Sequence, residues 1–247
     1  MVRKFLVITA LLTHLGIVHA QTEIYGGVGA GLNQFMPERN VDDTIVLDLP
    51  LAFPTTSTKS QDGTTGADLS AFLGVKQHIN QAAIAVELSG NLSSAQTETK
   101  SYDYNNNNVT AIARIRERGN VSLSVLPGFY MNNKTEAYLR VGFQRGSFDV
   151  KSAGDTGGNL IATGSTSRWL SGYALGLGVE TCVVPYMSAR FEYTYSGYQS
   201  VSQSSVLPPE ISLNTDQIHS KVTPHDHLVM LSFVFHGPIE NIFHYSA

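Results

Sequence analysis

The sequence predicts an all-β fold, an eight-stranded antiparallel transmembrane β-barrel. Three observations carry that prediction. Apolar and small or polar residues alternate in eight separate stretches, sending side chains to opposite faces as a strand does. The joints between the stretches are short and long in strict turn. Charge is sparse, with Asp, Glu, Lys and Arg making up 15% of the chain against about a quarter in an average globular domain.

The N-terminus comes first and is set aside. Arg3 and Lys4 precede an apolar run from Phe5 to Val18, and Val18-His19-Ala20 supplies residues a signal peptidase accepts. This predicts a secretory signal peptide over 1–20. The apolar run is shorter than the roughly 20 residues a membrane-spanning helix needs. The barrel is placed at 21–235 and a short periplasmic tail at 236–247.

The strands follow in order. Ile24, Val28, Ala30 and Leu32 share a face in a Gly-rich stretch. Leu69, Ala71, Leu73 and Val75 form the second, and Ala82, Ile84, Val86 and Leu88 the third. Val121, Leu123, Val125 and Phe129 form the fourth; Ala137, Leu139, Val141 and Phe143 the fifth. Leu175, Leu177 and Val179 alternate with Gly176 and Gly178. Met187, Ala189, Phe191, Tyr193 and Tyr195 alternate with Ser188, Arg190, Glu192 and Thr194. Val229, Leu231, Phe233 and Phe235 close the series. Each is near the roughly 9–11 residues of a tilted membrane strand.

Three joints are tight: Gln77 to Asn80, Met131 to Lys134 and Cys182 to Pro185. Four are long and polar, near 34–66, 91–118, 148–167 and 197–226. Short periplasmic turns and longer extracellular loops are the pattern of membrane barrels, and both termini then fall in the periplasm. Closure is required because backbone in lipid must pair every N–H and C=O. The apolar stretch Thr44 to Pro54 stands out in the first long joint and reads as local packing rather than a partner surface.

One face of each strand is then turned to lipid and the other to a narrow lumen filled by side chains. Asp68, Lys76, Glu87, Arg140, Glu180, Arg190 and Glu192 fall on the lumen face. Three cations against four anions predict a paired network, because unpaired buried charge is costly. Gly172, Gly176, Gly178 and Ser188 leave room for larger neighbours. Aromatics gather at both ends of the strands. Trp169, Tyr193, Tyr195 and Tyr198 lie on the loop side; Tyr25, Phe129, Tyr130, Tyr138, Tyr186 and Phe235 lie on the turn side. Two such bands are read as interfacial girdles.

His225, Asp226 and His227 are the one candidate for metal or acid–base chemistry. They have no defined third ligand and no serine placed by a motif, so no catalytic, metal or cofactor site is assigned. The single cysteine, Cys182, excludes an intrachain disulfide. A net charge of −4 gives no argument for nucleic acid.

GYALGLGVETCVVPYMSARFEYTYSGY, Gly172 to Tyr198, resembles the OmpA-like eight-stranded barrels, including the opacity-type surface antigens. Gly176, Gly178 and Glu180 match that group's Gly-rich strand; Arg190, Glu192, Tyr193 and Tyr195 match the strand after it. IYGGVGAGLNQF looks like the family's first strand. The resemblance implies a Gram-negative outer-membrane location and an interior ion-pair network. It implies outer-membrane lipid and lipopolysaccharide as surroundings, and barrel-assembly machinery as partner during insertion. Members often end on the aromatic of the last strand, whereas here twelve residues follow Phe235. The expected role is a non-enzymatic surface or structural barrel whose loops contact a host surface or the envelope. The alternatives are a narrow pore for small solutes and, further off, a lipid-modifying enzyme.

Overall fold

A computed structural model describes residues 22–45, 56–61, 63–102, 109–156, 159–206 and 216–237. Residues 1–20, where a signal peptide is expected, most of the Thr44–Pro54 stretch and nearly all of 236–247, where a periplasmic tail is expected, lie outside the described residues.

Eight strands close a barrel: β1 (Thr22–Phe35), β4 (Thr64–Ile79), β5 (Ala82–Ser93), β7 (Val109–Asn132), β8 (Thr135–Thr156), β9 (Asn159–Val184), β10 (Met187–Tyr198) and β13 (His225–His236). Each pairs antiparallel with its neighbours in the ring. The circle is completed by β1 against β13, with Val28 opposite Phe233, and by β5 against β7, with Val86 opposite Val125. No backbone edge is left in the lipid-facing zone.

The apolar rows point outward. Leu69, Leu92, Leu123, Leu139, Leu177 and Leu231 are each more than half exposed on the barrel's outer surface. In water such a surface would be untenable for one domain; in a membrane it is the side that hydrocarbon covers. Hairpins of two turn residues close one end, at 80–81, 133–134 and 185–186. Asn80 takes the left-handed conformation there (φ 54°), which Asn tolerates better than most residues.

The long joints differ from the polar loops the sequence predicts, because they carry strand structure. β7, β8 and β9 run for 24, 22 and 26 residues, twice what a bilayer requires. β6 (Gln96–Tyr102) continues the line of β5 and pairs with the upper part of β7. β2 (Glu38–Ile45), β3 (Thr56–Gln61), β11 (Val201–Val206) and β12 (Asp216–Thr223) form a second sheet in the order β11-β12-β2-β3. The barrel wall thus continues well above the apolar belt. The transition is marked by breaks between strands at Met36-Pro37, Ser94-Ala95, Gln199-Ser200 and Pro224. Backbone bonds such as Met36 N–H to His225 O (2.8 Å) and Tyr198 N–H to Pro224 O (3.1 Å) bridge them.

Candidate functional site: a lumen closed at two levels

Alternation sends the charged residues of the strands inward, and the barrel is narrow enough that they meet. Glu87, wholly buried, lies between two guanidiniums: Arg140 Nη2 donates to its Oε1 at 2.6 Å and Arg190 Nη1 to its Oε2 at 2.6 Å. Arg140 also pairs with Glu192 (2.9 Å), and Arg190 donates through Nε and Nη2 to Glu180 Oε2 at 3.0 and 2.8 Å. Lys76 lies 2.8 Å from Glu136 and 3.5 Å from Glu180. Charge-assisted bonds of this kind are the strong ones, and here each ion is satisfied by more than one partner.

Aromatic rings fill the space around these ions. The Tyr25 hydroxyl donates to Glu87 (3.0 Å) and the Tyr138 hydroxyl to Glu192 (2.5 Å). The Arg190 guanidinium lies over the Phe72 ring at 4.6 Å, a favourable cation–π placement. Both tyrosines are accommodated by a glycine on the next strand. Tyr25 is paired with Gly74 and Tyr138 with Gly178, and a Cβ at either glycine would come within 2.4 Å of the ring. Tyr25, Phe72, Ala85, Leu126, Tyr138 and Val234 are buried together. At the turn end, Glu23 accepts from both His78 (2.9 Å) and His236, and the Tyr130 hydroxyl meets His78 Nδ1 at 2.8 Å.

A second closure sits nearer the loop end. Phe35, Ala95, Ile115, Phe148, Leu170, Tyr198 and Val222 are buried against one another across the lumen. Phe148 meets Tyr198 edge-on at 4.8 Å and stacks near Phe35 at 6.1 Å. Between the two levels is a polar chamber lined by Asp68, Asn33, Asn120, Gln144 and Asp226 among others. Asn33 Nδ2 donates to Glu117 at 2.9 Å and Asn120 Nδ2 does so at 3.3 Å.

These placements correct several readings from sequence. Asp68 faces the lumen and lines the same chamber as Arg140 and Arg190, but its carboxylate oxygens pair with neither. Tyr25 and Tyr198 are buried inside the barrel, and Tyr130 turns in toward His78; none of the three belongs to a girdle. Tyr138, counted on the turn-side band, is interior too. A residue's height along a strand does not fix its face, and these four have inward parity. Trp169, Tyr186, Phe129 and Phe235 point outward. So do Tyr193 and Tyr195, whose hydroxyls meet His227 Nδ1 (2.7 Å) and His225 Nδ1 (3.0 Å). Asp226 points inward between those two histidines, so the triplet is divided between the two faces of β13. Among the described residues no group of three His, Cys, Asp or Glu is arranged to hold a metal. Glu136, Glu23 and Glu117 are lumen residues that sequence reasoning missed. Inward parity from Tyr138 and Arg140 marks Glu136, whereas the bulge at Gly119 hides Glu117.

The geometry accords with known structures. The outer membrane protease OmpT of Escherichia coli superposes with a TM-score of 0.51 at 7% identity, covering 87% of this chain and 97% of that one. OprG of Pseudomonas aeruginosa aligns at 0.44 and 13% identity, covering 87% and 97%. Ail, the attachment invasion locus protein of Yersinia pestis, aligns at 0.36 and 13%, covering 83% and 97%. At 7% identity the likeness to OmpT is one of fold alone. No curated protein matches the sequence. The model of the outer membrane protein beta-barrel domain matches residues 8–235, and the chain belongs to that family of Gram-negative outer-membrane barrels.

Proposed function

We propose that this protein is a non-enzymatic surface barrel whose extracellular walls and loops contact host or envelope partners, the lumen serving as a structural core. The observation that carries this reading is closure at two levels: the Glu87–Arg140–Arg190 network with its aromatic filling, and the Phe35–Phe148–Tyr198 cluster above it. Function then falls to the exterior, where rigid strands display variable connections. His225 and His227, the candidates for chemistry, are engaged by tyrosines on the outer face, which favours a structural use.

Export through a cleaved signal peptide and insertion by the barrel-assembly machinery belong to the same proposal. The pore alternative draws its support from the polar chamber, where both carboxylate oxygens of Asp68 have no hydrogen-bond partner. Conductance in planar bilayers separates the two readings, with folding checked by the gel shift between boiled and unboiled samples. Folded protein without current steps supports the surface barrel; discrete steps from folded protein overturn it in favour of the pore.

A further inference from the structure

Most buried ions of the lumen are neutralised by a partner. Lys76, Arg140 and Arg190 are the buried Lys and Arg side chains among the described residues. Each is paired with Glu87, Glu136, Glu180 or Glu192. Three further carboxylates, Asp68, Glu117 and Asp226, are buried higher in the lumen, and none of them is paired with a cation.

The chain places an acid here against its own alternation. Counting up β7 from the outward-facing Val121, strict alternation would turn Arg118 and Arg116 inward and Glu117 outward. The register shift between Glu117 and Gly119 reverses the phase. Arg114, Arg116 and Arg118 are exposed on the outer wall, and Glu117 is wholly buried. A bulge re-aims side chains in this way. Gly119 permits it: its φ is +154°, and a Cβ there would collide with the Asn91 carbonyl oxygen. The cations that could have neutralised the chamber therefore stand outside it.

Four buried oxygens at this level have no hydrogen-bond partner: Asn33 Oδ1, both carboxylate oxygens of Asp68, and Asp226 Oδ1. All four are acceptors. Their residues are at most 3% exposed, line one chamber and come from three adjacent strands, β4, β1 and β13. Gly31 is opposite Asp68 and Phe35 opposite Asp226 in register, so Asn33 lies midway between the two acids along β1. The Asn33 amide is fixed in orientation. Its Nδ2 donates to Glu117 (2.9 Å) and to Ser93 Oγ (3.3 Å), which turns Oδ1 to the other side. Buried acceptors without a donor are costly, and buried carboxylates more so. One cation satisfies all four oxygens at once.

An all-oxygen set suits a hard cation rather than a metal that seeks thiolate or imidazole. Calcium accepts irregular geometry from donors on separate strands, whereas magnesium demands a near-ideal octahedron. Calcium takes roughly six to eight oxygens, and the chamber has room for an ion with the few waters that complete its shell.

We propose that the upper lumen chamber binds one calcium ion, held by both carboxylate oxygens of Asp68, by Asp226 Oδ1 and by Asn33 Oδ1. The set is two carboxylates and an amide rather than a triad of acids. The ion ties β1 to β13, the seam where the first and last strands of the barrel meet. The site is the same whether or not the lumen conducts, so its failure leaves the proposed surface role untouched.

The test is equilibrium dialysis of the refolded protein, in uncharged detergent and free of lipopolysaccharide, against radiolabelled calcium. One ion per folded chain is expected, and calcium is expected to raise the midpoint of the heat shift, as a ligand of the folded state does. Asp68→Asn removes a charge that has no partner, so the gel shift is expected to persist. Its calcium binding is expected to be weaker by at least about tenfold, with no calcium-dependent rise in the midpoint. Asp149→Asn, on the outer wall, is expected to bind as the parent does. A folded parent that binds no calcium overturns the site, as does binding that Asp68→Asn leaves unchanged. Equal loss in Asp149→Asn overturns it too, by reassigning the ion to surface acids.

Discussion

Glu87 shows what a single residue does in this lumen. It neutralises part of two guanidiniums that would otherwise be buried without a counter-ion, at 2.6 Å from each. Removing one partner of such a group costs about 3–5 kcal/mol, because the remaining charge is left desolvated. Glu87→Gln is therefore expected to lower barrel stability by that order, read from urea unfolding in liposomes. Gly119 has a different role, set by backbone conformation. Gly119→Ala is expected to cost about 1–3 kcal/mol, and to loosen the bulge that turns the arginines outward. On the outer wall, slight burial opposes ionisation of Asp149, but hydrogen bonds from Arg118 and Ser167 and the nearby cations hold its carboxyl below the usual aspartate range. The sign follows. This contribution is present above the ordinary aspartate value and is lost as pH falls through the lowered one. Asp149→Asn is expected to lower stability slightly at neutral pH and to converge with the parent as pH falls through the lowered value, flattening the acid limb of the profile, which acid titration of the heat-shift midpoint checks.

At the scale of the element, alternation has a consequence that residue chemistry alone does not. Neighbours in one strand live in different solvents: Leu231 faces outward toward lipid, whereas Met230 and Ser232 are buried in the lumen. Leu231→Arg is expected to destabilise the barrel by about 2–4 kcal/mol, as charge does on a lipid face near the midplane. Ser232→Ala, one residue away, is expected to cost far less. Paired unfolding curves of the two variants test the assignment of faces. The same logic explains why aromatic bands were only partly legible in the sequence. Phe129 and Tyr130 are adjacent and at one height, yet Phe129 lies against lipid and the Tyr130 hydroxyl against His78. Where a bulge intervenes, parity itself changes: strict alternation from Val121 would turn Arg114 and Arg116 inward, yet beyond Gly119 they stand outside.

For the whole molecule, the two closures lie in series. Opening one leaves the other in place. Arg140→Ala/Glu192→Ala, which thins the lower network, is expected to give no conductance while the Phe35–Phe148–Tyr198 cluster remains. Adding Phe148→Ala, which removes a ring from the centre of that cluster, is expected to produce steps if the lumen has no third barrier. Single-channel recording of the double and triple variants in parallel decides it, and current from the double variant would show the upper cluster to be permeable.

The sequence by itself determined the eight barrel strands, the tightness of three of their turns, the lipid-facing rows and the inward set of charges from Lys76 to Glu192. It could do so because period-two alternation is a local property, and each strand carries its own. Only the tertiary structure decided which inward groups meet. Glu87 reaches Arg140 and Arg190 across the barrel, over 53 and 103 residues of chain, and Asp68 pairs with neither because closure and register place it at another height. Parity beyond Gly119 and the continuation of the long joints as strands depend likewise on pairing with distant neighbours. A pattern of single residues cannot encode that pairing, since each partner is selected by the ring as a whole.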